Sequence, residues 1–253
     1  MTTTQASLEG QLALITGANR GIGLETAREL GRLGATVLIG SRTRTKSEAA
    51  ADRLRAEGIK AEALALDITN ASDRRAAYEY VERRHGKLDM LVNNAGVQLE
   101  IEHLAPMNNA SAVTSDVLRA TFDANFFAQV ELTQLLLPLL RQAPAARIVN
   151  LSSILGSLAL QADPGSPISE LKLLAYNASK AAINAFTIHL AHELRGTPIK
   201  VNAAHPGWVK TELGGKYADT DVKDGSATSV RLATLPADGP TGKFLHVGSE
   251  LPW

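Results

Sequence analysis

The chain is expected to fold as one α/β domain over residues 1–253, built on a single doubly wound parallel sheet of about seven strands with helices on both faces. Three observations lead there. Short apolar runs rich in β-branched residues alternate with longer stretches of helical period. The runs are apolar at nearly every position, as strands covered on both faces are. The first run ends in a cluster of glycines that opens directly into a helical pattern.

The elements follow in order. "LALIT" from Leu12 reads as the first strand, followed by a helix over Gly21–Leu33. "TVLIG" from Thr36 precedes a helix over Lys46–Glu57, and "AEALAL" from Ala61 precedes one over Ser72–His85. "LDMLVN" from Leu88 leads to a long helical pattern at Thr114–Arg141. "ARIVNLS" from Ala146 precedes a helix over Ala175–Arg195, "IKVNAA" from Ile199 one over Asp224–Leu235, and "KFLHV" from Lys243 is the last strand. Two excursions leave from the C-terminal ends of strands, where ligands bind in this architecture. They are "QLEIEHLAPMNNASAV" from Gln98 and "SLALQADPGSPISELKL" from Ser157.

Composition narrows the function. Lysine plus arginine equals aspartate plus glutamate at 26 each, which argues against a nucleic-acid or anionic-membrane surface. Cysteine is absent, so disulfides, thiolate nucleophiles and cysteine-held metals are excluded. "MTTTQASLEGQ" has no basic-then-apolar leader, and "LLLPLL" is too short to cross a bilayer; a cytoplasmic location is expected. His189, His192 and Glu193 share a helix without the H-E-x-x-H spacing, so no metal is expected.

The glycine turn "TGANRGIG" carries Gly17, Asn19, Arg20, Gly21, Ile22 and Gly23. Glycines at a strand-to-helix turn let the backbone approach a phosphate at the helix N-terminus, although they also make a tight connection with no ligand. NAD binding calls for an acid at the end of the second strand, and here Ser41 and Arg42 stand instead. Arg42 can pair with a 2′-phosphate, with Arg20 closing from the other side, so NADP(H) is the expected cofactor.

A helix that spaces Tyr176 and Lys180 by four stacks them one turn apart. A nearby ammonium favours the phenolate and should pull the tyrosine toward the working pH.

Taken in order, "TGANRGIG", "LDIT" with Asp67, "NNAG" from Asn93, Asn125 in "FDANFF", Ser152–Ser153, "YNASK" from Tyr176 and "HPGWVKT" ending at Thr211 resemble the short-chain dehydrogenases/reductases along nearly the whole chain. The resemblance implies a Rossmann-type sheet. It also implies that Asp67 and Ile68 contact the adenine and that Asn93, Ala95 and Gly96 lie along the cofactor. Pro206, Gly207 and Val209 would flank the nicotinamide, with Thr211 near its carboxamide. Tyr176 would give the proton and Lys180 would hold the nicotinamide ribose. Ser153 rather than Ser152 would orient the substrate oxygen, and Asn125 would complete a proton relay.

The 22 residues from Ile154 to Ala175 exceed the usual gap and imply a small lobe or short helix at the pocket rim, a carbonyl-reductase-like trait. Glu212–Lys223 reads as a substrate lid, with Trp208 and Tyr217 as candidate walls. The expected activity is NADPH-dependent reduction of ketones or aldehydes, by an enzyme forming a dimer or tetramer and acting on a small molecule. The alternatives are a 3-oxoacyl thioester reductase and a non-catalytic NADP(H)-sensing regulator.

Overall fold

The computed structural model describes residues 7–100 and 109–253; half of the excursion after the fourth strand, residues 101–108, lies outside the described residues. Eight strands form one sheet in the order β3-β2-β1-β4-β5-β6-β7-β8. They are β1 (Leu12–Ile15), β2 (Thr36–Ser41), β3 (Ala61–Ala65), β4 (Met90–Asn93), β5 (Arg147–Leu151), β6 (Lys200–Ala204), β7 (Phe244–His246) and β8 (Ser249–Glu250). The first seven run parallel, and the order reverses between β1 and β4, which opens a crevice at their C-terminal ends.

Alternation along β1 divides the core. Ala13 and Ile15 face α1 (Gly21–Arg32), α2 (Arg44–Ala56) and α8 (Val222–Ala233), meeting Leu30, Leu54 and Val230. Leu12 and Leu14 face α3 (Ala71–His85), α5 (Ala128–Arg141) and α7 (Leu174–Glu193), meeting Val81, Leu132 and Leu190. Leu14, Leu30 and Leu132 are fully buried, each contributing roughly 1.5–3 kcal/mol of apolar burial. Local signals set the helix ends. Asn70 caps α3 by accepting from the Ser72 N–H at 2.9 Å, and Gly86 ends it in the left-handed conformation at φ 69°.

The structure departs from the sequence reading at three places. The long pattern at Thr114–Arg141 is not one helix. It divides into α4 (Ser115–Phe122), a π turn (Asp123–Phe127) and α5, the π turn taking up the register shift that turns Asn125 inward. The eighth strand, absent from the sequence reading, pairs antiparallel with β7 through a turn at Val247 and Gly248. Both turn residues have positive φ (45° and 96°), as a type I′ hairpin requires. The segment Glu212–Lys223, read as one loop, ends inside α8, to which Val222 and Lys223 belong. The insertion before Tyr176 opens with a 3-10 turn (Ile154–Gly156) and continues into a short helix, α6 (Leu158–Ala162), beyond which Lys172 Nζ donates to the Gln161 carbonyl at 2.8 Å.

Candidate active site

The crevice is floored by the glycine turn. Gly17 and Gly21 have φ of 63° and 56°, where a side chain is strained. A Cβ on Gly23 would stand 2.5 Å from Asn94 Nδ2, and one on Gly17 3.0 Å from Ala95 Cα. The turn is therefore pressed against the segment after β4. Asn94 stitches the two together by donating to the Thr16 carbonyl at 2.7 Å, while Thr16 Oγ1 accepts from the Asn94 and Ala95 N–H groups. Helix α1 begins at Gly21 with no side-chain cap and no acid in its first turn. Its free N–H groups and positive dipole end suit a pyrophosphate, so the residues present fit a dinucleotide.

Asn19 and Ile22 lie in the same turn, and Arg20 extends from it to pair with Glu212 in the loop after β6. Arg42 is exposed at the end of β2. Ser41 is buried there, its hydroxyl donating to the Thr43 carbonyl at 3.0 Å, so it shapes the turn that presents Arg42. At the end of β3, Asp67 accepts from the Thr69 N–H at 3.0 Å, and the Ile68 carbonyl is held by Arg74 Nη1 at 2.6 Å.

Asn93 does not line the crevice. Its side chain has no exposure and donates to Thr133 Oγ1 and Asn150 Oδ1, both at 2.9 Å, inside the sheet–helix interface. Ala95 is tied by its carbonyl to Gln129 Nε2 at 2.7 Å. Gly96 faces the site: a Cβ there would lie 3.2 Å from Asn125 Oδ1 and 3.6 Å from Lys180 Nζ. From β6, Pro206, Gly207 (φ 88°) and Val209 lead to Thr211, whose methyl sits 3.3 Å from where a Gly21 Cβ would be. The loop after β6 and the glycine turn therefore meet over one groove.

Tyr176 and Lys180 project from the first two turns of α7 into buried space, at 9% and 3% exposure. Lys180 Nζ lies 5.6 Å from the phenol ring centroid and donates to the Leu151 carbonyl at 2.7 Å. The expected pull of the lysine on the tyrosine is not what dominates. Burial pushes the Tyr176 phenol up to about 12, with the Ser153 side chain acting the other way. Burial likewise pushes the Lys180 ammonium down to about 8. In this arrangement each group disfavours its own charge more than it feels the other's.

The two serines face opposite ways. Ser152 donates to Asn184 Oδ1 at 2.6 Å beneath α7, whereas Ser153 is on the Tyr176 side and accepts from the Leu155 N–H at 3.2 Å. Asn125 is fully buried. It clamps Val97 at both backbone groups (2.8 Å each) and donates to Ser179 Oγ at 3.0 Å, so its side chain is fully engaged. His205 accepts the Ile154 N–H on Nδ1 at 3.2 Å, directly behind Ser153. Burial, then the neighbouring His246, pushes it down to about 3, so it stays neutral. Trp208, Leu213 and Tyr217 are exposed apolar side chains on the loop beyond, which folds back through Trp208 Nε1 on the Gly214 carbonyl at 2.8 Å.

Thr16, Asn94, Ser179 and Gln129 were not singled out from sequence. Thr16, Asn94 and Ser179 stand inside motifs that were, while Gln129 carries no local signal.

The sequence profile described as short chain dehydrogenase matches residues 11–221. Mouse carbonyl reductase [NADPH] 1 (Mus musculus) is 31% identical over 96% of this chain and 98% of that protein. Its human counterpart (Homo sapiens) is 32% identical over the same shares. Among solved structures, the NADPH-bound carbonyl reductase from chicken fatty liver superposes with a TM-score of 0.82 at 28% identity, covering 97% of this chain and 100% of that one.

Proposed function

This chain belongs to the short-chain dehydrogenase family, and from that premise we propose that it reduces ketones or aldehydes to alcohols, with the proton supplied by Tyr176. It is an NADPH-dependent oxidoreductase. The observation that carries the finer reading is the convergence of Ser153, Tyr176 and Lys180 at the C-terminal end of β5, beside the groove that the glycine turn floors.

When bound, NADPH supplies the hydride. The N-terminus of α1 would hold its pyrophosphate, and Arg42 would hold the 2′-phosphate together with Arg20, which is paired with Glu212. Ser153 donates a hydrogen bond to the substrate carbonyl oxygen and fixes its lone pairs toward the phenol. Tyr176 keeps its proton until negative charge develops on that oxygen, then gives it up; a phenol near 12 is well matched to an alkoxide in a buried site. Lys180 spends one N–H on Leu151 and has two left, for ribose hydroxyls and for the developing phenolate. Trp208, Leu213 and Tyr217 supply apolar walls, so a carbonyl carrying an apolar or aromatic substituent fits best.

The test is NADPH oxidation followed by absorbance over a panel of aryl ketones, diketones and aldehydes, with NADH and Tyr176→Phe in parallel. Turnover with NADPH that falls at least about 10²-fold in the variant is expected. Tight NADPH binding without turnover of any carbonyl would favour the sensing reading, and equal turnover by the variant would remove Tyr176 from the chemistry.

A further inference from the structure

Tyr176 sits in the first turn of α7, the part of a helix that is hardest to hold. The first intrahelical bond is Asn177 N–H to the Leu173 carbonyl at 2.7 Å, so the N–H groups of Leu174, Ala175 and Tyr176 need partners elsewhere. The residue at the cap position is Leu173, whose side chain has nothing to offer, and the first turn contains no acid. The partner comes from 75 residues upstream. Glu100, in the segment after β4, accepts the Ala175 N–H on Oε1 at 3.1 Å and the Tyr176 N–H on Oε2 at 2.8 Å.

The other backbone group of Tyr176 is held as well, since its carbonyl accepts from Ser179 Oγ at 2.7 Å. Ser179 Oγ in turn accepts from Asn125, which grips Val97, three residues before Glu100. The path from the Tyr176 N–H through Glu100, Val97, Asn125 and Ser179 returns to the Tyr176 carbonyl and closes on itself. We propose that Glu100 is a positioning residue for the proton donor, an N-cap lent to the catalytic helix by the segment that follows β4. The proposal rests on the reading of Tyr176 given above and extends it to what keeps the phenol opposite Ser153. A charge-assisted bidentate cap is stronger than the usual hydroxyl cap and also meets the positive end of the α7 dipole. Displacing a proton donor by about 1 Å is enough to lower turnover up to about 10²-fold.

The experiment compares wild type, Glu100→Ala, Glu100→Gln and Tyr176→Phe with the Glu100→Ala/Tyr176→Phe double variant. It reads kcat, KM, NADPH affinity by fluorescence and melting temperature. Glu100→Ala is expected to lower kcat about tenfold, with NADPH affinity changed less than about twofold. Glu100→Gln keeps one accepting oxygen and should recover most of kcat. On the Tyr176→Phe background, Glu100→Ala should lower the residual rate no further. Unchanged kcat in Glu100→Ala, a loss confined to NADPH affinity, or an equal loss on the phenylalanine background would overturn the proposal. Should Glu100→Ala fail to fold, Glu100→Gln and the shorter Glu100→Asp carry the same comparison, with the aspartate expected to be the slower of the two. Wild-type turnover in Tyr176→Phe would refute the assignment of Tyr176 itself, a result independent of what Glu100 does.

Discussion

Replacing Lys180 with methionine should make the free protein more stable and nearly inactive. The ammonium is 3% exposed, and burial holds it at about 8 instead of its ordinary 10.5. A group so depressed makes the folded state at pH 7 about 3 kcal/mol poorer than one with an uncharged side chain there. Methionine matches the lysine stem in volume but leaves the Leu151 carbonyl without the 2.7 Å bond it accepts, which costs about 1 kcal/mol. The net gain is about 2 kcal/mol, or about 5 °C in melting temperature for a chain of this size. Urea and thermal unfolding without coenzyme would read it.

The pH dependence gives a second check. Between about 8 and 10.5 the unfolded lysine is protonated and the folded one is not, so wild-type stability from this group rises with pH through that window. The advantage of the variant should therefore shrink from pH 8 upward and vanish by 10.5. A variant less stable than wild type at pH 7, or a gap that stays constant from pH 7 to 10, would refute the reasoning. Turnover should fall at least about 10²-fold at every pH.

Gly156→Ala would place a Cβ 2.7 Å from the Lys180 carbonyl carbon and 2.8 Å from its Cβ. Helix α7 must retreat from the turn after β5, so we expect about 2 kcal/mol of lost stability and roughly tenfold lower kcat, read by unfolding and steady-state kinetics. His205 is held at about 3 against its ordinary 6.5, first by burial and then by His246, so its contribution is complete above pH 6.5 and lost as pH falls toward 3. Unfolding free energies from urea titrations at pH 7 and 5 should differ by up to about 2 kcal/mol more in wild type than in His205→Asn, which can still accept from Ile154. Arg42→Asp puts an acid at the end of β2 and should weaken NADPH about 10²-fold relative to NADH in binding titrations.

The sheet was legible because each buried parallel strand is a short continuous apolar run, and its seven parallel members fall where such runs stand. Strand β8 was not: two residues carry no periodicity, and the turn that makes it uses Val247, a residue that ordinarily avoids positive φ. The break in the long helix was hidden for a related reason. A π turn leaves the apolar spacing almost unchanged while rotating one asparagine. Within the site, spacing put Tyr176 and Lys180 on one face. It led to the expectation that the ammonium would pull the phenol down, and could not show that burial outweighs that pull, because burial depends on everything packed around α7. Asn93 was read as a cofactor contact through its motif, but its side chain turns down into the interface. Glu100 could not be found at all, since a carboxylate that caps a distant helix leaves no mark on its own neighbours.

The interface under α7 has a consequence for anyone altering the specificity of this protein. Asn93 bonds to Asn150, Asn150 to Thr187, and Ser152 to Asn184, so a row of polar pairs links sheet and helix where oil alone would serve. Oil is indifferent to a slip of one turn, but these pairs are not, because any other alignment strands several buried donors at once. They act as teeth that set the height of Tyr176 above Ser153. A library meant to open new substrates can vary the proposed walls at Leu213 and Tyr217, and Trp208 only together with the loop it ties to Gly214. Positions 93, 150, 152, 184 and 187 should stay as they are, though none of them would ever touch a substrate.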